Sequence, residues 1–600
     1  MKQAVTFLLV LFCTGLFAQT FNYEVDLSNY EDDIFHVTLH TGKLEKADKH
    51  YNFVAYAPGA HQELNFGRFV KTFQVFDSKG DTIPTTKTGT NSWEISNPER
   101  VEKIVYDIED SFDSDAEGSK IYPMSGTGIE PEYVVINAFG IFGYFDNHKS
   151  KPVKIKIIFD EDWQVGTALE KNEDGIFIAD SYYHLSDSPI FLGELSTAST
   201  KVGDIEVEVF VYSKNSEITA DTILYLANDV LDAAKEFLTF SPVNRYSFLM
   251  YFADMEAMQR NKFTGGGALE HSYSSTYALI DDPSFLAEID NIMAHEFMHI
   301  LTPLNLRSQI LANFDYDVPC TADYHLWLYE GVTEWTSDIM LLRDGTITID
   351  EYMNEVSTKI RLAERFDPEY SLLRLSTEWN TQEGSLQFAN IYELGALTAT
   401  LLDIKLLELS GGTKGLREVF LELIDKYGKE KPFENEIFFN EFVSLTYPEI
   451  GQFIDNYIKD NEPLPCAEYF DKLGIEYIEK KPSENKTPMF GLQLGSLDGE
   501  HLSIAGFAND HQNFGLEIGD IILKVLDEDV DLANSQEVLD KRKDMKPGDK
   551  YEIVVKRGDE ELTFTGTLLE RMDYHAFNIK KDCSDEQKKF RELWSRNLEL

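Results

Sequence analysis

Asn291-Ile-Met-Ala-His-Glu-Phe-Met-His299 carries two histidines four residues apart and a glutamate directly after the first. On a helix both imidazoles leave the same face, one turn apart. Two neutral ring nitrogens can then reach a single Zn2+ at about 2.0–2.1 Å. Glu296 stands where its carboxylate can hold the zinc-bound water and take its proton. Pro303 is expected to end the helix soon afterwards.

A catalytic zinc needs a third protein ligand and one open position. The candidate is Glu330 in Leu326-Trp-Leu-Tyr-Glu-Gly-Val-Thr-Glu-Trp335. This stretch is apolar enough to be a buried helix, where an unpaired glutamate is costly unless a dication lies beside it. Glu334, one turn later, is either a solvated helix charge or the acceptor of an N–H from a ligating histidine, which would fix its tautomer. Upstream, Gly265-Gly-Gly-Ala-Leu-Glu-His271 follows a strand. Small residues there (Gly266, Gly267, Ala268) beside an exposed edge let a peptide substrate pair with the backbone, and Glu270 can hold a protonated amine. Downstream, Ile391-Tyr-Glu-Leu-Gly395 opens a helix expected over 392–407. From it the Tyr392 hydroxyl can donate to a tetrahedral oxyanion.

The flanks have a different grammar. From Phe21 to about Glu206, short β runs such as Tyr51-Asn-Phe-Val-Ala-Tyr56, Phe73-Gln-Val-Phe76 and Val153-Lys-Ile-Lys-Ile-Ile-Phe159 alternate with turn residues. They predict a β-sandwich-like domain over 19–205. Residues 206–478 mix strands at 207–212 and 246–252 with a helical pattern over 221–238 and several later helices, an α+β layout. The polar stretch 479–488, with Pro482 and Pro488, reads as a linker. Short strands return over 489–570, and 571–600 is expected to be a helical tail with Phe590, Leu593 and Trp594 on one side.

A hydrophobic fraction of 43% with 13% aromatics allows sizeable cores and excludes global disorder. The formal net charge of −51 repels phosphate backbones and anionic headgroups, which argues against nucleic-acid binding and polybasic membrane docking. It favours solubility, a salty habitat or bound cations. Lys2, the apolar run Val5 to Leu16 and Leu16-Phe17-Ala18 form an export signal over 1–18, too short to span a bilayer stably. The mature chain is therefore expected to be exported, periplasmic or secreted. Cleavage leaves Cys320, Cys466 and Cys583, with a Cys466–Cys583 bridge and three separate thiols both open.

His295-Glu-Phe-Met-His299, Trp327-Leu-Tyr-Glu330-Gly331 and Gly267-Ala-Leu-Glu270-His271 together resemble the glycyl aminopeptidase family of zinc peptidases, and Ala57-Pro-Gly59 weakly resembles a family feature. The resemblance covers most of the mature chain. It implies an N-terminal β domain, a thermolysin-like catalytic domain and a C-terminal PDZ domain at 489–570. It also implies His295, His299 and Glu330 as ligands of one catalytic zinc, Glu296 as general base, Glu270 as amine anchor and Tyr392 as transition-state stabiliser. The chain departs from the family at Ile391 and Leu394, where a tyrosine and a basic residue are usual, and at the additional Ala268. In the C-terminal region, Phe490-Gly-Leu-Gln-Leu494 resembles the PDZ loop whose backbone N–H groups capture a carboxylate, with Phe490, Gly491 and Leu492 at its start. Leu516-Glu-Ile-Gly-Asp-Ile-Ile522 resembles the Gly-Asp turn, and 535–541 the groove helix.

The function these residues predict is an exported zinc metallopeptidase acting on peptides or proteins, releasing N-terminal residues by attack of zinc-bound water. An endopeptidase on the same chemistry, a zinc hydrolase of another bond, and a silent scaffold whose PDZ domain binds a C-terminal peptide or docks within the chain are the alternatives.

Overall fold

The computed structural model describes residues 20–160, 162–215, 217–261, 263, 266–429, 431–496, 501–508 and 514–596. The expected export signal at 1–18 lies outside them. The described residues of Met1–Tyr352, Leu362–Pro465 and Lys588–Leu600 form one compact unit, and those of Met353–Arg361 and Cys466–Gln587 form a second.

The first unit begins with β structure. Phe21–Asp26 pairs in parallel with Val153–Ile158 and antiparallel with Ile34–His40, within an eight-stranded sheet. Alternation orients it: Phe35, Val37 and Leu39 are at most 1% exposed, while the residues between them face outward. A four-stranded and a three-stranded sheet complete the β region. The expected strand at 51–56 is a strand only over His50–Asn52. Beyond it Phe53 N bonds Asn91 O, and Ala55 and Tyr56 both donate to Tyr316 O at 2.9 and 3.0 Å. These bonds divert the chain into a loop.

The expected domain boundary at 205 falls too late. Ser196–Val202 forms a tight hairpin with Ile205–Ser213, turning at Gly203 (φ +60°), and so belongs to the next sheet. That sheet has the spatial order Ser196–Val202, Ile205–Ser213, Arg245–Ala253, Ser274–Ile280, Gly267–His271. Arg245–Ala253 is parallel to both neighbours and buried along eight of its nine residues, which explains an apolar run without alternation. Gly267–His271 is the edge strand. The helical pattern over 221–238 is two helices, Ala220–Leu226 and Asn228–Leu238, because Ala227 with ψ −3° interrupts the turn. Near the C-terminus, Trp594 is fully buried, with its carbonyl accepting from Arg343 Nε at 3.2 Å and its ring edge-on to Tyr352.

The second unit corrects two expectations. Ile475–Pro482 is a strand antiparallel to Met572–Ile579, so the first four of the ten expected linker residues are β structure, as is the start of the expected helical tail. Polar composition misleads here because the lysines find cross-strand partners. Lys480 Nζ lies 5.2 Å from the Tyr574 ring centre, and Lys481 Nζ donates to Asn578 Oδ1 at 3.2 Å. The tail's helix follows at Asp585–Ser595. A six-stranded sheet has Leu492–Gly495 at one edge and Glu560–Thr567 at the other. Its core includes Ile504, Ile522, Val538, Ile553 and Val555. Phe490 is buried and its carbonyl accepts from Tyr551 OH at 3.0 Å; Gly491 has φ +73°, and Leu492 starts the edge strand. Cys466 and Cys583 are separate buried thiols; Cys583 Sγ donates to Lys580 O at 2.8 Å. Among the described residues no helix is long and apolar enough to cross a membrane.

Candidate metal centre and active site

The helix Ile289–Met298 lies on the mixed sheet through Phe297, which meets the rings of Tyr246 and Phe248, while Tyr246 OH donates to Glu296 O at 2.8 Å. His299 is the first residue past this helix rather than within it. The turn continues through Ile300 N to Phe297 O at 3.1 Å and Leu301 N to Met298 O at 2.9 Å, so His299 keeps the same side as His295. His295 Nδ1 lies 2.8 Å from Glu334 Oε2, and His299 Nδ1 lies 3.0 Å from Thr302 O. Both Nδ1 atoms face acceptors and therefore carry the protons, which leaves both Nε2 lone pairs free to ligate. The two Nε2 atoms converge on Glu330 Oε2, at 3.5 and 3.8 Å.

Glu330 sits in a π-helical turn, Trp327–Gly331, that leads into the helix Val332–Asp344. A wide turn re-aims a side chain that a regular helix would direct elsewhere. Gly331 then meets Gly395 backbone to backbone: a Cβ on Gly331 would lie 2.6 Å from Gly395 Cα. This contact brings the helix Asn390–Ser410 against Glu330 and sets the Tyr392 ring 5.6 Å from that of His295. At the edge strand, Glu270, Glu296 and His299 offer ligating atoms all within 4.8 Å of one another. The small residues before Glu270 serve packing as well. A Cβ on Gly266 would meet Ala278 O at 2.6 Å, one on Gly267 would meet Met124 Cε at 2.6 Å, and Ala268 pairs with Tyr277. Gly265 lies outside the described residues.

Electrostatics asks for a cation. Glu270, Glu296, Glu330 and Glu334 surround two imidazoles; Glu296 and Glu330 are 7% and 4% exposed. Burial, followed by the charge of Glu330, pushes Glu270 well above the usual carboxylate range. Burial drives Glu296 up to about 8, with His295 opposing and Glu330 and Glu334 reinforcing. Burial also lowers His299 to about 4, so it stays a neutral ligand. Glu296 Oε2 is buried without a hydrogen-bond partner among the described residues. Two imidazole nitrogens, a carboxylate and an excess of buried negative charge fit Zn2+.

A loop from the N-terminal β region enters this site, and only its Ala57-Pro-Gly59 turn stands out in the sequence. His61 Nε2 lies 3.5 Å from Glu330 Oε1, and its ring packs against Phe388 and Trp379 at 4.7 and 5.7 Å. Gly59 has φ +70°, and a Cβ there would fall 2.5 Å from Glu270 Oε1. A lone histidine 234 positions before the first metal candidate carries no spacing signal, so it is visible only in three dimensions.

Residues 22–194 match the family model of the Peptidase M61 N-terminal domain, and residues 288–397 match that of M61 glycyl aminopeptidase. No curated protein sequence matches the chain. Among solved structures, an aminopeptidase N family protein from Idiomarina loihiensis is similar at TM-score 0.75 and 19% identity, covering 96% of this chain and 99% of that chain. A two-domain M1 zinc metallopeptidase mutant bound to L-tryptophan gives TM-score 0.45 at 10% identity, covering 75% and 95%. Native leukotriene A4 hydrolase from Saccharomyces cerevisiae gives 0.42 at 14%, covering 76% and 70%. The first of these is a likeness of fold over nearly the whole length. Two stretches of the chain thus match Peptidase M61 domain models, and the second of them holds His295, Glu296, His299, Glu330 and Tyr392.

Proposed function

We propose that the chain is an exported, zinc-dependent aminopeptidase. The observation that carries the reading is the convergence of two oriented Nε2 atoms and Glu330 beside the unpartnered Glu296 carboxylate. His295, His299 and Glu330 would hold one zinc, whose Lewis acidity polarises a carbonyl and makes water a better nucleophile. Glu296 Oε2 takes the proton of the attacking water and delivers it to the departing amine. Tyr392 donates its hydroxyl proton as a hydrogen bond to the carbonyl oxygen as charge develops there. Glu334 holds His295 in the ligating tautomer. Glu270, at the end of the edge strand, pairs with the substrate's α-ammonium, and Gly59 leaves room for that carboxylate.

The strand Leu492–Gly495, at the edge of its sheet among the described residues and following Gly491, supports a PDZ-like role for the second unit, with Phe490, Gly491 and Leu492 receiving a C-terminal carboxylate. The test of the main reading is cleavage-site mapping by zinc-loaded protein on peptides with free and acetylated N-termini. Stepwise release of N-terminal residues from the free peptides alone supports it. Equal cutting of acetylated peptides would make the enzyme an endopeptidase and Glu270 structural.

A further inference from the structure

Beyond Glu270 lies a second cavity of about 320 Å³, lined by residues from both domains and containing none of the three candidate zinc ligands. Leu304, Leu311, Phe314 and Tyr316 supply apolar walls, and Arg307, Lys429 and His184 bring donors to it. The same wall carries Asp180, Asp187 and Glu270.

Its donors are underused. Arg307 Nε and His184 Nε2 are buried with no hydrogen-bond partner, and Arg307 forms no ion pair among the described residues. Lys429 Nζ donates to the Tyr273 hydroxyl and lies over its ring. The acids on the wall leave Arg307 without an ion pair among the described residues, although Asp180 Oδ2 comes within 3.9 Å of His184 Nδ1. Asp187 accepts from Ser272 OH at 2.5 Å and faces His271 Nδ1 at 3.1 Å, Asp180 is 91% solvent-exposed, and Glu270 is assigned above to the substrate amine. A guanidinium with unspent N–H groups in a half-enclosed pocket is matched by a carboxylate.

We infer that this cavity receives the side-chain carboxylate of an N-terminal glutamate or aspartate, with Arg307 as the specificity-determining residue and Lys429 in support. The inference rests on the aminopeptidase reading and deepens it. Glu270 lines both this cavity and the neighbouring one that contains Glu330, so a ligand reaching it from the amine anchor is the first residue's side chain. A peptide's own C-terminal carboxylate would leave the metal on the side away from Glu270.

The test compares kcat/KM of the zinc-loaded full-length enzyme on C-terminally amidated peptides that differ only in the first residue: Glu, Gln, Ala or Lys. A charge-assisted pair predicts Glu over Gln by about tenfold to a hundredfold, with Lys poorest. Arg307→Met should bring the Glu-to-Gln ratio to about one, and Lys429→Met should lower it by a smaller factor. A loss confined to folding would reduce both peptides together and leave the ratio unmoved. Cleavage with Gln equal to Glu, or a ratio unchanged in Arg307→Met, overturns the inference while the aminopeptidase reading stands. A preference for free over amidated C-termini assigns the pocket to the wrong carboxylate and also overturns it. Equal cutting of acetylated peptides removes the reading and the inference together.

Discussion

His295, His299 and Glu330 draw ligating atoms to within 4.8 Å of one another, and so, elsewhere in the first unit, do Asp33, Asp110 and Asp113. They are built in opposite ways. In the first, each imidazole spends its Nδ1 on an outer partner and turns Nε2 inward, and a neighbouring carboxylate oxygen is left unpartnered. In the second, Asp110 has spent both oxygens on backbone donors, Phe112 N at 3.1 Å and Ile129 N at 2.8 Å. Asp33 answers the crowding with a proton: burial, then Asp113, Glu130 and Glu109, push it up to about 7. Proximity of acids is common to both. Orientation by outer partners distinguishes a site prepared for a cation from a knot of structural carboxylates.

Substitutions can break that contrast. The largest expected effect is at Glu296. Glu296→Gln should retain zinc and lose peptide hydrolysis by about 10⁴-fold, measured as single-turnover rate beside metal content. Next is the outer partner: Glu334→Ala should weaken zinc binding by about 10–100-fold in a chelator competition, because His295 loses the acceptor that fixes its tautomer. Gly331→Ala should cost about 1–3 kcal/mol in denaturant unfolding and lower zinc occupancy, since the added Cβ forces the helix bearing Tyr392 away from Glu330. A variant that unfolds like the parent protein would show that the close glycine contact is dispensable.

The smallest effect sharpens the other half of the comparison. The folded state keeps a proton on Asp33 that the unfolded state releases above the ordinary value of 3.8. That stability is fully present below the ordinary value and is lost as pH rises through about 7. Asp33→Asn should therefore stabilise the protein at about pH 8 by less than about 1 kcal/mol, after allowance for solvent screening, with the gain vanishing towards about pH 4. Thermal unfolding across that pH range checks the sign; a gain that grows as pH falls would contradict it.

How much of this was legible in the sequence depended on range. His295, Glu296 and His299 share one turn of chain, so their spacing carries the chemistry directly. Glu330 was a candidate because a carboxylate in an apolar helix asks for a partner, whereas Glu334 read equally as a solvated helix charge and Tyr392 entered through the family resemblance. His61 and Arg307 gave no such signal. Each stands in a loop, and each reaches its cavity only because Tyr316 O holds the 54–64 loop in place or because distant strands close around it. The misplaced features have a similar cause. Lys480 and Lys481 look like linker residues until Tyr574 and Asn578 meet them across the strand pair, and Ser196–Val202 looks like the end of one domain until its hairpin partner claims it. Local composition reports what a segment can do alone, and pairing decides otherwise.

The central claim is that one divalent ion sits between His295, His299 and Glu330. Elemental analysis of the purified, zinc-supplied protein and of its His299→Ala variant tests it most directly. The account predicts about one zinc per chain in the parent protein and almost none in the variant. A parent protein that retains no zinc after dialysis, or a variant that retains the full amount, would contradict it.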